Sequence, residues 1–259
     1  MKSEKVLYEV TDRIAYITLN RPEKRNALNE EMVALLRDAF AQAEQDDTAK
    51  TVVLRANGDA FCAGADLAYL QTLQTNTYEE NLEDSRNLMA LFKQIYTLKK
   101  PVIAQVEGHA IAGGGGLAAV CDFIFSVPEA KFGFTEVKIG FVPAIISVFI
   151  VRKLGEAITK QLLFTGDLFS ARQMADYHLV SKIVDPNHIA GEVTQFAQKL
   201  NAQTSAQSQA MTKQLIATVQ NMSFEDGLEY AARLNAKARA NDDCKKGISS
   251  FLNKEKIIW

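Results

Sequence analysis

Residues 102–119, VIAQVEGHAIAGGGGLAA, decide the fold. An apolar run typical of a buried strand, residues 102–106, is followed by four consecutive glycines, Gly113 to Gly116, and then by residues 117–121, which suit a helix. Residues without Cβ let the backbone come very close to a ligand. At a helix start, the unpaired N–H groups and the helix dipole favour negative charge. The stretch therefore predicts a strand, loop and helix that bind an anion or a developing oxyanion.

Glycine-rich loops serve several chemistries. A P-loop is excluded, because it requires Lys and then Ser or Thr after the glycines, and Leu and Ala follow here. The dinucleotide-binding pattern G-x-G-x-x-A is matched by Gly113, Gly115 and Ala118, and Glu136 lies at about the distance of its ribose-binding acid. Residues 108–112, however, separate the strand from the glycines, and the pattern lies in mid-chain rather than at the start of a βαβ unit. A tight turn with close helix packing is the purely structural alternative.

A second loop favours an oxyanion site. Residues 58–67 follow an apolar strand at 51–56 and again place small residues where a strand passes to a helix. With this second loop, the chain resembles the crotonase, or enoyl-CoA hydratase/isomerase, superfamily. The matching segments run in the family's order along nearly the whole chain: residues 61–67, 100–104, 108–122, 132–136, 143, 163–166 and 251–256.

The resemblance implies an α/β fold, a spiral of ββα turns followed by a C-terminal helical region used for trimerisation. We expect the spiral catalytic core at residues 1–200 and the oligomerisation region at 201–259. Periodicity alone predicts strands at about 6–10, 14–19, 51–56, 102–106 and 122–127, a helix after the cap residue Asn29, and helices at 211–219 and 224–240.

The resemblance also implies the roles of individual residues. The backbone N–H groups of Ala65 and Gly113 correspond to the donors that hold a thioester oxyanion, and Glu136 corresponds to the second catalytic acid of the hydratases. The segments around these residues correspond to the wall that binds the CoA ester. Its predicted substrate-binding residues are Arg25, Ala27, Leu28, Ala63, Asp66, Leu67, Gly114 and Gly116.

Gly116 departs from the family pattern, because it stands where two-glutamate hydratases carry their first glutamate. Two subgroups tolerate this loss. Double-bond isomerases need one base, and methylglutaconyl-CoA hydratase-like proteins also tend to carry glycine here and resemble residues 139–147. We favour hydration of a short branched substrate such as 3-methylglutaconyl-CoA, because Gly116 leaves room and removes a negative charge near the reacting carbons. Double-bond isomerisation and a non-catalytic binding protein are the alternatives.

Composition limits the other classes of function. A chain of 259 residues, 47% hydrophobic and with a net charge of −2, is typical of a globular protein and gives no reason to expect nucleic acid or an anionic membrane as partner. The polar start predicts a cytoplasmic protein without a signal peptide. Three widely spaced cysteines favour neither a disulfide framework nor a metal site. We expect no separate cofactor, since coenzyme A is part of the substrate.

Overall fold

The structure is a computed structural model that describes residues 4–259. The prediction about the N-terminal segment therefore lies partly outside the described residues, at positions 1–3. The described residues form ten strands and ten α-helices; strands and helices alternate up to residue 183, and the last four helices follow. The strands are β1 (Val6–Thr11), β2 (Ile14–Leu19), β3 (Thr51–Ala56), β4 (Ala60–Cys62), β5 (Val102–Val106), β6 (His109–Ile111), β7 (Phe123–Ser126), β8 (Lys131–Gly133), β9 (Leu168–Ser170) and β10 (Lys182–Ile183).

The helices differ in length from six to 22 residues. They are α1 (Glu30–Gln45), α2 (Leu67–Leu73), α3 (Tyr78–Thr97), α4 (Gly113–Ala119), α5 (Ala144–Thr165), α6 (Ala171–Asp176), α7 (Ile189–Gln203), α8 (Ala206–Val219), α9 (Phe224–Ala240) and α10 (Asp242–Leu252). Two short 3₁₀ segments, Pro22–Lys24 and Glu136–Ile139, precede α1 and α5.

The strands form two sheets, and the chain passes between them. A six-stranded sheet has the order β1-β2-β3-β5-β7-β10, and a four-stranded sheet has the order β4-β6-β8-β9. Strands β3, β5 and β7 pair in parallel in the large sheet, and the strand after each of them, β4, β6 or β8, pairs in parallel in the small one. Each strand pair is followed by a helix. The predicted spiral of ββα turns is thus confirmed.

Local sequence explains most element boundaries. Asn29 caps α1 as predicted, its side chain accepting a hydrogen bond from the N–H of Met32. The strands predicted at 51–56 and 102–106 lie at those residues, and the strand predicted at 122–127 is Phe123–Ser126. Sequence reasoning missed β4, β6, β8 and β9, because three residues are too few to display an alternating pattern.

A largely buried cation ties helix α8 to the core. Lys213, on α8, donates hydrogen bonds to a carboxylate oxygen of Asp122 at 2.6 Å and to the carbonyls of Ile95 and Lys100 at 3.2 and 3.3 Å. The same carboxylate oxygen accepts the N–H of Val102, at the start of β5. One charged side chain therefore joins α8 to the end of α3 and to two central strands.

The last residue folds back onto the chain. The ring of Trp259 packs against α10, within 3.4 Å of the place where a Cβ on Gly247 would lie, and the ammonium group of Lys246 lies 5.4 Å from the ring centre. The carbonyl of Trp259 accepts a hydrogen bond of 3.0 Å from Arg13, in the β1–β2 turn. Within residues 4–259, no helix is both long enough and apolar enough to cross a bilayer.

Candidate active site

The two predicted loops meet. Gly64 follows β4 and has φ +90°, and a Cβ on it would lie 3.6 Å from the backbone nitrogen of Gly113 and 3.0 Å from the Cβ of Ala112. Ala112, directly before α4, has the unusual backbone angles φ 49° and ψ −122°, and its N–H donates to the carbonyl of Gly133 at 2.7 Å. A non-glycine residue in this conformation is strained, so its neighbours must hold it there. This strained residue sets the direction in which α4 begins.

The backbone N–H groups of Ala65 and Gly113 are the predicted oxyanion donors, and the local bridge and helix leave both outside their own hydrogen bonds. Leu28 forms an isolated parallel bridge with Ala65, in which Leu28 N–H donates to Gly64 and Asp66 N–H donates to Leu28. The ladder therefore uses the residues on either side of Ala65, and Ala65 N–H points away from it. Gly113 is the first residue of α4, and the first N–H groups of a helix have no partner within the helix. The structure thus places the two loops that carry the predicted donors next to each other, and the role of these N–H groups stays a prediction.

Gly114 has a packing role. A Cβ on Gly114 would lie 2.2 Å from the carbonyl oxygen of Cys62, so any side chain there would force β4 away from α4. Gly113 is different, since its Cβ would meet only the Leu28 side chain, at 3.3 Å. The first glycine of the run lies against the Leu28 side chain, and the second lets the two loops approach.

Glu136 carries the titratable group of the site. It begins the 3₁₀ segment after β8, and β8 pairs with β6, the strand that leads into the glycines. Its Oε2 atom is buried and has no hydrogen-bond partner among the described residues. Burial raises the pKa of the carboxyl group above its ordinary value of 4.5, and a hydrogen bond from its own backbone N–H opposes this only in part. A buried polar atom without a partner requires an explanation, and a bound water or substrate atom would supply the missing partner.

The expectation that Gly116 leaves open space is wrong. Gly116 is buried, and a Cβ on it would lie 2.9 Å from two ring atoms of Phe92 and 3.4 Å from the Cδ1 of Ile146. The ring of Phe92, on α3, occupies the volume that a side chain at position 116 would need. Sequence reasoning missed Phe92 because it lies 24 positions before Gly116 in an ordinary amphipathic helix.

The remaining predicted binding residues fall into two groups. The first group lies where the segment before α1 meets the loop after β4, and it consists of Ala27, Leu28 and Ala63. There, Ala63 N–H donates to the carbonyl of Arg25 at 3.0 Å. The side chains of Arg25 and Leu67 are exposed, Leu67 by 80%, so both are free to contact a ligand.

Asp66, predicted to line the CoA site, has a carboxylate with other partners. It caps α2 by accepting the N–H of Ala68 at 2.9 Å, and it pairs with the guanidinium group of Arg21 at 2.7 Å, both side chains being largely buried. Burial works to raise the pKa of Asp66, but the hydrogen bonds from Arg21 and Ala68 and the charge of Arg21 outweigh it and lower the pKa. The carboxylate therefore holds the loop that carries Ala65.

Asn26 is a positioning residue that sequence reasoning missed. It is fully buried, its side-chain oxygen accepts the N–H of Arg21 at 2.8 Å, and its side-chain nitrogen donates to the carbonyls of Asn57 and Ala60 at 2.9 Å each. It joins the segment before Leu28 to the β3–β4 junction. Asn26 has a φ of 54°, a conformation that Asn tolerates better than most residues. The Asn itself is therefore the one signal in the sequence that could have pointed to this position.

Together these groups can stabilise a negative oxygen and move a proton beside it. The N–H groups of Ala65 and Gly113 lie on two adjoining loops, and one carboxylate with a raised pKa begins the segment after β8. Such an arrangement suits reactions in which a carbonyl compound passes through an enolate.

The chain is similar to known proteins of one family over almost its entire length. The family model described as enoyl-CoA hydratase/isomerase matches residues 9–259. A Thermus thermophilus protein provisionally named an enoyl-CoA hydratase is 43% identical over 93% of this chain and 95% of its own. (E)-Benzylidenesuccinyl-CoA hydratase of Thauera aromatica is 32% identical over 95% of each chain. The solved structure of an enoyl-CoA hydratase from Mycobacterium smegmatis has a TM-score of 0.92 and 28% identity, covering 99% of both chains.

Proposed function

The chain belongs to the enoyl-CoA hydratase/isomerase family of the crotonase superfamily, and from this premise we propose that it adds water to the double bond of an enoyl-CoA thioester. The observation that carries the proposal is the buried Oε2 of Glu136, which has no partner among the described residues. An oxygen in this state suits the binding of a water molecule that becomes the nucleophile.

In the proposed reaction the thioester carbonyl accepts hydrogen bonds from Ala65 N–H and Gly113 N–H. Each such donor, aimed at the developing oxyanion, is typically worth about 10²–10³ in rate. Ionised Glu136 takes a proton from water as the water oxygen bonds to Cβ, and the electrons of the double bond move to the thioester as an enolate. Glu136, now protonated, then gives that proton to Cα. One carboxylate therefore completes the addition of H and OH.

The specific substrate that we propose is a short branched thioester, 3-methylglutaconyl-CoA. Support comes from position 116, where no carboxylate stands to repel a distal carboxylate near the reacting carbons. The wall formed there by Phe92 and Ile146 favours a small acyl group over a long one.

The assay follows loss of enoyl thioester absorbance with crotonyl-CoA and 3-methylglutaconyl-CoA. We expect higher kcat/KM for 3-methylglutaconyl-CoA, and the opposite ranking would remove it as the preferred substrate. A 3-enoyl-CoA is included because one carboxylate also suffices for double-bond isomerisation. Faster conversion of the 3-enoyl-CoA than of both hydration substrates would assign the chain to the isomerases. Tight binding of acyl-CoA without any turnover would indicate a non-catalytic binding protein.

Glu136→Gln tests the role of the carboxylate. We expect kcat to fall by at least about 10²-fold, because general acid–base catalysis contributes about 10²–10⁴, while binding of a saturated acyl-CoA changes little. Glu129→Gln is the matched control, an exposed glutamate in the turn between β7 and β8. Wild-type turnover in Glu136→Gln would exclude Glu136 from the reaction.

We also propose that residues 201–259 mediate assembly into a homotrimer or a dimer of trimers. Support comes from large apolar side chains that the single chain leaves exposed on its C-terminal helices, with Phe251 at 83% and Phe224 at 77%. Burial of these side chains between subunits would remove a costly apolar surface from water.

A further inference from the structure

We infer that Phe92 is the specificity-determining residue of the acyl pocket, and that its ring ends the pocket after a short acyl chain. The inference rests on the proposed function in one respect only, namely that the site takes an acyl thioester. Phe92 lies on α3, outside the two glycine loops and the segment that carries Glu136.

The first step is the position of Phe92 relative to the oxyanion donor. Gly113 and Gly116 are three residues apart on α4, so they lie on the same face of the helix, about 5 Å apart along its axis. On that face, position 113 is next to Leu28, and position 116 is next to the Phe92 ring. An acyl chain whose carbonyl oxygen is held at Gly113 N–H, and which runs along α4, reaches Phe92 within about one helical turn.

The second step is that the ring cannot easily move aside. Phe92 is 1% exposed, and its ring packs edge to face on Phe149, with centroids 6.3 Å apart. Phe149 is itself held by Tyr96, at 5.2 Å between centroids. The facing side chain, Ile146, comes from the first turn of α5. Well-packed aromatic groups of this kind keep a single arrangement, so the wall is fixed rather than adaptable.

The third step is the chemistry of the wall. The side chains that form the wall, Phe92, Ile146 and Phe149, are hydrocarbon only. The polar group of the site is Glu136, whose Oε2 atom is buried without a partner among the described residues. A pocket closed by hydrocarbon discriminates by size, and each methylene that does not fit typically costs about 10–200-fold in specificity. We therefore expect a preference for four-carbon to six-carbon acyl groups over eight-carbon ones.

The experiment measures binding of saturated acyl-CoAs, which cannot be hydrated. Dissociation constants for butyryl-CoA and octanoyl-CoA are determined by calorimetry for wild type, Phe92→Leu and Phe92→Ala. In wild type, butyryl-CoA should bind more tightly than octanoyl-CoA. The ratio of the octanoyl-CoA constant to the butyryl-CoA constant should fall by at least about 10-fold in Phe92→Ala and by a smaller factor in Phe92→Leu. Phe123→Leu is the matched control, because it shortens a ring in a separate aromatic cluster, where Phe123 packs on Phe196 with centroids 5.0 Å apart, and its ratio should stay within about 2-fold of wild type.

An unchanged ratio in a folded Phe92→Leu or Phe92→Ala variant would overturn the inference, as would an equal shift in Phe123→Leu. If Phe92→Ala does not fold, Phe92→Leu decides the question, since it keeps a large apolar side chain. Because binding is measured without turnover, failure of the hydration assay would overturn the proposed function and leave the conclusion about Phe92 standing.

Discussion

At the scale of single residues, the buried carboxyl group of Glu136 creates a conflict between activity and stability. Its raised pKa means that, between the ordinary value of 4.5 and the higher native value, the folded protein binds more protons than the unfolded chain. Stability contributed by this group is therefore present at low pH and is lost as the pH rises through that window. The catalytic form, with ionised Glu136, is the less stable one.

This conflict predicts the pH dependence of Glu136→Gln. At pH 7–8 the variant should have a higher Tm than wild type, because a neutral amide replaces a buried charge whose Oε2 has no partner among the described residues. As the pH falls well below 4.5 the difference should disappear, since the carboxyl group becomes protonated in both the folded and the unfolded state. Thermal denaturation of both proteins across this range is the measurement. A Tm advantage that grows toward acid would contradict the assigned direction of the pKa shift.

The contact between positions 92 and 116 makes a second prediction at this scale. Gly116→Ala should destabilise the protein by about 1–3 kcal/mol, because the new Cβ would lie 2.9 Å from the Phe92 ring in a well-packed core. In the absence of this contact, Ala in a helix would be favoured over Gly by about 0.5–1 kcal/mol. Phe92→Leu should relieve the clash, so the double variant should lose less than the sum of the two single changes. Denaturant unfolding of the four proteins completes the cycle, and strictly additive losses would contradict the contact.

At the scale of elements, Lys213 decides whether α8 stays docked. Lys213→Met removes the donor of three hydrogen bonds and leaves the Asp122 carboxylate without its cation. We expect a loss of about 2–3 kcal/mol in the free energy of unfolding, since hydrogen bonds that involve charged groups are worth more than neutral ones. Lys237→Ala, on the exposed surface of α9, is the control and should change stability by less than about 0.5 kcal/mol. Equal effects of the two substitutions would mean that the Lys213 network contributes nothing particular.

The sequence predicts the long elements and the two loops well, and it fails where partners come from distant positions. The glycines at 113–116 and the strands at 51–56 and 102–106 are local patterns, so they can be read directly. The contact between Phe92 and Gly116 depends on how α3 lies over α4, which no local pattern contains. The pairing of Arg21 with Asp66 is hidden for the same reason, because 45 positions separate an ordinary Arg from an ordinary Asp.

At the scale of the whole molecule, the apolar side chains exposed on α9 and α10 predict assembly into an oligomer. If the exposed apolar faces of α9 and α10 are buried between subunits, light scattering at micromolar concentration should give the mass of a trimer or of two trimers. Phe251→Glu, at the side chain exposed by 83%, should shift the mass toward the monomer, because burial of an unpaired charge in an apolar contact is costly. A wild-type monomer would contradict the prediction.

The position of Trp259 has a consequence for spectroscopy. It is the single tryptophan of the sequence, and it packs against α10 and lies beside the ammonium group of Lys246. Intrinsic fluorescence with selective tryptophan excitation will therefore report on the C-terminal region and its contact with the β1–β2 turn, whereas far-ultraviolet circular dichroism reports on all helices and strands. A denaturation curve recorded with both signals will tell, without any label, whether the C-terminal region detaches before the two sheets unfold.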